Sequence, residues 1–211
     1  MAGAPARKAS QKVQQNAALE VTPPHPYVSR GALKLAHALQ HFALDVEGKI
    51  IADIGASTGG FTDALLQHGA QKIYAVDVGT DQLHEKLRAD DRVVVMESTN
   101  AKHLTSQEIE EPLDMIVCDA SFIALSKVLP AVLALAATRA QCVALIKPQF
   151  EAGKEAVRKG EGVIRDEAMH ESICRDVAQW FEGEGWKVYG ITPSPIEGPK
   201  GNKEFLIWAA K

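Results

Sequence analysis

The chain has 211 residues, 46% of them hydrophobic and 24% charged, with a formal net charge of -4. This describes one globular domain with a real core and at most a short appendage, and it excludes a wholly basic nucleic-acid binder while leaving room for a local basic patch. No apolar run is long enough to span a bilayer, and Cys118, Cys142 and Cys174 are isolated and odd in number, which reads as reduced thiols of a cytoplasmic protein rather than a disulfide framework.

Residues 1–26 are rich in Ala, Gln and Pro and end in TPPHP, the composition of a flexible N-terminal arm or linker. Its basic start, with Arg7, Lys8 and Lys12, has no apolar segment behind it and so is not a secretory signal. Residues 27–211 then form the expected domain. Ser29 opens a helical pattern as a predicted N-cap, with Leu33, Ala36, Leu39 and Phe42 at helical spacing. From there apolar runs alternate with helical patterns. IIADIG is followed by FTDALLQHG, KIYAVDVG by DQLHEKLRAD, and RVVVMES by a predicted short helix over 105–110. LDMIVCDA precedes SKVLPAVLALA, in which Pro130 predicts a kink; QCVALIK precedes the long amphipathic pattern DEAMHESICRDVAQWFEGEG; WKVYGITP and KEFLIWAA close the chain.

Continuous apolar strands separated by helices imply a parallel sheet covered on both faces. The last connection, SPIEGPKGN, has no helical pattern, so strands six and seven are expected to pair antiparallel. The predicted fold is an α/β, doubly wound, mostly parallel seven-stranded Rossmann-like sheet with strand seven reversed.

The stretch DIGASTGGFTDALL follows the first strand and opens a helix, a place where glycines let a backbone approach a ligand and the helix start favours polar groups. Asp77 ends the second strand, where an acid accepts hydrogen bonds from ribose hydroxyls. The dinucleotide pattern G-x-G-x-x-G fails at Ser57, and the phosphate-loop pattern fails because Phe61 follows Gly60. Asp53 would repel a pyrophosphate but suits a cationic amine, which points to S-adenosylmethionine. The predicted cofactor site is Asp53, Gly55, Ser57, Thr58, Gly59, Gly60 and Phe61 from the turn, with Asp77, Val78 and Asp119 from the ends of strands two and four. Gly55 to Gly59 also spell G-x-S-x-G, the pattern of a hydrolase nucleophile elbow, but no triad partners for Ser57 stand out.

Ligands of open α/β sheets bind outside the carboxyl ends of the strands. Asp119 ends strand four and Lys147 ends strand five, while Glu204 begins an antiparallel strand and so reaches the same edge; Lys34 lies on the helix before strand one. The segments YVSRGALKL, DIGASTGGFTDALL, YAVDVG, CDASF, IKPQFE, GVIRD and NKEFLIW together resemble the FtsJ-like ribose 2'-O-methyltransferases, specifically their TlyA-type, or hemolysin A, branch. The resemblance covers nearly everything from Tyr27 onward. It implies a catalytic Lys-Asp-Lys-Glu tetrad at Lys34, Asp119, Lys147 and Glu204, S-adenosylmethionine as cofactor, and ribosomal RNA or ribosomal subunits as partner, with no membrane and no metal. Members of that branch usually carry an S4-type RNA-binding domain ahead of the methyltransferase, and only about 26 residues precede Tyr27.

A ribose hydroxyl attacks a sulfonium methyl only as its proton leaves, so the expected roles are Lys147 as base, Lys34 and Glu204 as positioning groups, and Asp119 beside the transfer centre. The basic stretch EAGKEAVRKGEGVIRD reads as a lid over RNA phosphates. Two alternatives stay open: a methyltransferase with another acceptor, and a cofactor- and RNA-binding protein without catalysis. His37 and His41 read as a solvated helix face, and Trp180, Trp186 and Trp208 as core.

Overall fold

The computed structural model describes residues 25–152 and 162–211. All but the last two residues of the expected arm, and residues 153–161 of the expected lid, lie outside the described residues. The apolar runs form one seven-stranded sheet in the order β3-β2-β1-β4-β5-β7-β6. Its strands are β1 Ile50–Ile54, β2 Lys72–Val76, β3 Val93–Met96, β4 Leu113–Cys118, β5 Ala136–Ile146, β6 Lys187–Pro193 and β7 Phe205–Ala210. β7 is antiparallel to both neighbours and slotted between β5 and β6; the connection from β6, with only the 3₁₀ turn Pro199–Gly201, is too short for a parallel crossover.

Side chains alternate across the sheet with the strand period of two. Cys142, Ala144 and Ile146 of β5 join one core layer, and Val143 and Leu145 join the other. On one face lie α1 Gly31–His41, α2 Gly60–Gln67 and α3 Glu85–Arg88, contributing Leu35, Leu39, Phe61, Leu65 and Leu87. The opposite face is covered by α4 Leu125–Val128, α5 Pro130–Leu133 and the long helix Glu167–Gly183, through residues such as Leu129, Val132, Ile173 and Phe181. Asp166 caps that long helix, its side chain accepting from the amides of Ala168 at 2.9 Å and Met169 at 3.4 Å. Trp186 is fully in the core, and Trp180 and Trp208 pack against it partly buried.

Three local expectations are corrected. Ser29 is not an N-cap: Arg30 is already helical at φ -62° and ψ -21°, and the first amides of α1 are accepted by the carbonyls of Ser29 and Arg30. The Ser29 hydroxyl instead fills the space beside Gly60, where a β-carbon would come within 2.3 Å of it. Residues 105–110 form a single turn and no helix, the Glu108 carboxylate accepting from both the amide and the hydroxyl of Thr105 at 2.8 Å; the helical element is the 3₁₀ turn Ala101–His103 just before it. Finally, the helical pattern before β5 breaks ahead of Pro130 as expected but stops at Leu133, and β5 begins at Ala136, inside that pattern, with an irregularity before Gln141.

Candidate active site

Register brings the charged residues together. Ile54 of β1 pairs with Cys118 of β4, and Cys118 with Ala144 of β5, so Asp119 leaves the sheet beside the end of β1. Ile146 pairs with Phe205, which sets Lys147 and Glu204 at the same level across the β5–β7 seam. Pro148 then occupies the first position of α6 Pro148–Glu151, where its missing N–H costs nothing and the strand stops sharply behind Lys147. Lys34 reaches the seam from the first turn of α1.

The four side chains form one chain of ion pairs. Glu204 Oε2 lies 2.7 Å from Lys34 Nζ, Lys34 Nζ 3.6 Å from Asp119 Oδ2, and Asp119 Oδ1 2.6 Å from Lys147 Nζ. Lys147 Nζ also donates to the Asp119 carbonyl at 3.0 Å and to Ser121 Oγ at 2.8 Å. Lys34, Lys147 and Glu204 are 7%, 6% and 2% exposed, so two amines and two carboxylates balance one another away from water. All four line a single cavity of about 640 Å³.

The same cavity is lined by Gly55, Ser57, Thr58, Gly60 and Phe61 of the glycine turn. Gly55 has φ +81°, and a β-carbon there would stand 2.8 Å from the Ala120 α-carbon, so only glycine lets the two strand ends close on each other. Asp53, Gly59, Asp77 and Val78 are outside the lining. Asp53 stands behind the turn, fully buried; its Oδ2 accepts from Thr62 Oγ1 at 2.6 Å, its Oδ1 has no hydrogen-bond partner, and burial pushes the carboxyl up to about 7. Gly59 has φ +93° and abuts Leu83 and Leu87. Asp77 accepts from the amides of Ser57 at 2.8 Å and Gly79 at 2.7 Å, tying the glycine turn to the end of β2, and Val78 is 72% exposed.

Several residues of the site have no role predicted from the sequence, although Ser121 and Phe122 fall in CDASF and Gln149 and Phe150 in IKPQFE. Ser121 contacts Lys147, and Gln149 lines the cavity with a buried amide oxygen that has no hydrogen-bond partner. Phe122, 89% exposed with φ +66°, leans on Phe150 at 5.0 Å on the cavity wall. Glu97 holds the loop after Asp77: its carboxylate pairs with Arg88 and accepts from the amides of Asp81, Gln82 and Leu83, and these bonds, the Arg88 one first, hold it down at about 2.

A sheet of this order, with a glycine turn after β1 and an acid at the end of β2, defines an S-adenosylmethionine-dependent methyltransferase. The residues present fit that donor. The turn offers backbone and small side chains with no lysine or arginine for a pyrophosphate, Asp77 faces the turn, and Asp53 leaves one buried oxygen unpaired behind it. The chain belongs to the FtsJ-like methyltransferase family, whose model matches residues 27–211. It is 45% identical over 208 residues to the 16S/23S rRNA (cytidine-2'-O)-methyltransferase TlyA of Mycobacterium tuberculosis, covering 98% of this chain and 77% of that protein. It is 44% identical over 198 residues to hemolysin A of Brachyspira hyodysenteriae, covering 93% and 82%. Among solved structures, a Streptococcus thermophilus protein that carries the name hemolysin superposes with a TM-score of 0.86 at 47% identity, over 90% of this chain and 68% of that one. No helix among the described residues is long and apolar enough to cross a membrane.

Proposed function

We propose that the protein transfers a methyl group from S-adenosylmethionine to a ribose 2'-hydroxyl of ribosomal RNA. The observation that carries this reading is the continuous run Glu204–Lys34–Asp119–Lys147 along the wall of a cavity that also meets the glycine turn. When bound, the donor supplies a methyl group on a sulfonium. The protein must align the acceptor oxygen with it and accept a proton. In this reading Lys147 accepts that proton, Lys34 and Glu204 set the position of Asp119 and of the ribose, and Asp119 stands beside the transfer centre. The turn residues Gly55, Ser57, Thr58, Gly60 and Phe61 hold the donor, with Asp77 at its ribose and Asp53 supporting the turn from behind.

Features around the mouth suit a nucleotide. Phe122 presents an exposed ring on the cavity wall, the kind of surface on which an unstacked base rests. Arg30 and Lys200, both exposed, line the same cavity and can meet phosphates, which give affinity and register without sequence readout. The relatives named for rRNA 2'-O-methylation supply the acceptor class.

The test is transfer from radiolabelled S-adenosylmethionine to ribosomal subunits and total RNA. Label recovered in 2'-O-methyl nucleosides is the expected result; label in protein or small molecules, or donor binding with no transfer, would overturn the proposal. Lys147→Ala should abolish transfer while donor binding changes by no more than a few fold.

A further inference from the structure

Lys147 Nζ has three partners: Asp119 Oδ1 at 2.6 Å, the Asp119 carbonyl at 3.0 Å and Ser121 Oγ at 2.8 Å. With the side chain 8% exposed, the ammonium donates to the Asp119 carbonyl and to Ser121 Oγ, while Asp119 Oδ1 faces it as an ion-pair partner that takes no hydrogen bond. The carbonyl can only accept a hydrogen bond. A serine hydroxyl both accepts and donates. A lysine acting as a base must first be a neutral amine, with two hydrogens and one lone pair. Of the two hydrogen-bond partners, the Asp119 carbonyl keeps a hydrogen of the amine, and the lone pair then faces Ser121, the one of the two that has a hydrogen to give.

We infer that Ser121 relays the acceptor's proton to Lys147. This inference rests on the proposed methyl transfer to a hydroxyl and names the path that the transfer uses. Ser121 is exposed on the cavity wall two residues beyond Asp119, so its oxygen is open to a substrate hydroxyl on one side and bonded to Nζ on the other. As the acceptor oxygen bonds to the methyl carbon, the methyl–sulfur bond breaks with its electron pair left on sulfur, the acceptor's O–H bond breaks and the proton passes to Ser121 Oγ. The hydrogen of Ser121 passes to Nζ in the same step. Serine is restored, lysine ends as an ammonium, and the positive charge lost by the sulfonium reappears on Lys147.

Among the described residues, no other hydrogen-bond partner of Lys147 offers this path. Asp119 is its acceptor, and Lys34 and Glu204 lie on the far side of the Asp119 carboxylate. Glu151 on α6 is engaged with the Leu125 amide at 2.9 Å, and burial pushes its carboxyl up. The Cys118 thiol is fully buried in β4, where burial pushes it up to about 12.

The test compares Ser121→Ala and Ser121→Thr with the wild type. Ser121→Ala should lower kcat on ribosomal RNA by about 100-fold, the lower bound for loss of a general acid–base contact, with donor affinity within twofold. Ser121→Thr keeps the hydroxyl and should recover most of that loss. The solvent proton inventory should be curved in the wild type, with two protons moving, and linear in Ser121→Ala. Independently of turnover, the 15N-detected ammonium hydrogens of Lys147 should exchange with water several-fold faster in Ser121→Ala than in the wild type. Wild-type turnover in Ser121→Ala, failure of threonine to rescue, or unchanged ammonium exchange would each overturn the relay. If the wild type itself transfers no methyl to RNA, the functional proposal falls, and the relay falls with it, even where the ammonium exchange confirms the Ser121–Lys147 contact.

Discussion

The Glu204 carboxylate lies against the bare α-carbon of Gly198: a β-carbon on that glycine would come within 2.3 Å of Glu204 Oε1 and 2.9 Å of its Cδ. The backbone of Gly198, at φ -70° and ψ 175°, is one that any residue can adopt, so space rather than conformation demands glycine here. Glu204 is 2% exposed and its other oxygen holds Lys34 at 2.7 Å, so it cannot swing aside without releasing that amine. Gly198→Ala should therefore lower kcat by about 10- to 100-fold, the scale of a misplacement of about 1 Å at a reacting centre, while donor affinity measured by calorimetry stays near wild type. An unchanged kcat would show that the position of Glu204 is not critical.

The Lys34–Glu204 pair also makes a prediction about stability. Removing one partner of a buried ion pair leaves an uncompensated charge and costs about 3–5 kcal/mol, whereas replacing both by neutral groups of similar shape is far milder. Lys34→Met should lower the unfolding free energy in urea by an amount in that range. Glu204→Gln should also destabilise, less so because Asp119 at 3.6 Å still faces Lys34. The double variant should be more stable than Lys34→Met alone, although it is expected to be inactive. Additive losses would mean that the two groups do not act as a pair.

How much of this was legible in the sequence depends on the kind of signal. Asp119, Lys147 and Glu204 could be placed at one edge because a charge ending an apolar run marks a strand end, and strand direction then says which ends meet. The reversal of β7 followed from a connection too poor in helix formers to cross the sheet. Ser121 could not be found that way: it lies within CDASF, but a single serine has no period, and its role comes from its 2.8 Å contact with Lys147. Glu97 reads as one more surface acid until its carboxylate is seen to gather three successive amides of the loop after β2. The left-handed backbones of Ser57 and Phe122, φ +48° and +66°, are single-residue conformations set by tertiary contacts, which hydrophobic patterning does not report. Asp53 was legible as an acid before the turn, but not as one sealed behind it.

Two glycines with similar backbone angles should respond very differently to the same change. Gly55 and Gly48 have φ +81° and +68°, so alanine at either pays the strain of a left-handed backbone, about 1–2 kcal/mol. At Gly48 nothing lies within 4 Å of the added β-carbon, whereas at Gly55 it would meet the Ala120 α-carbon at 2.8 Å and nitrogen at 2.9 Å, both backbone atoms just beyond the end of β4. Gly55→Ala should thus be more destabilising than Gly48→Ala by about 1–3 kcal/mol and should weaken donor binding, which Gly48→Ala should leave unchanged. Thermal unfolding with and without S-adenosylmethionine would read both effects, and equal losses at the two sites would refute the role of the Gly55–Ala120 contact.

Asp53 gives the protein a stability that depends on pH with a defined sign. Burial is the main cause that raises its carboxyl from 3.8 to about 7, with the Thr62 hydroxyl pulling the other way. Below about pH 4 the group is protonated in both folded and unfolded chains and contributes no difference. Between about pH 4 and 7 the unfolded chain has lost the proton and the folded one retains it, so the folded state binds more protons and stability falls as pH rises; above about pH 7 the full penalty, up to about 4 kcal/mol, is in place. Asp53→Asn does not titrate, and its amide oxygen can still accept from Thr62. The gap in unfolding free energy between the variant and the wild type should therefore shift in favour of the variant as pH rises from 4 to 7 and then level off, whatever constant offset the amide introduces. Urea unfolding of both proteins across that range measures the gap, and parallel curves would show that Asp53 ionises at an ordinary value in the folded protein.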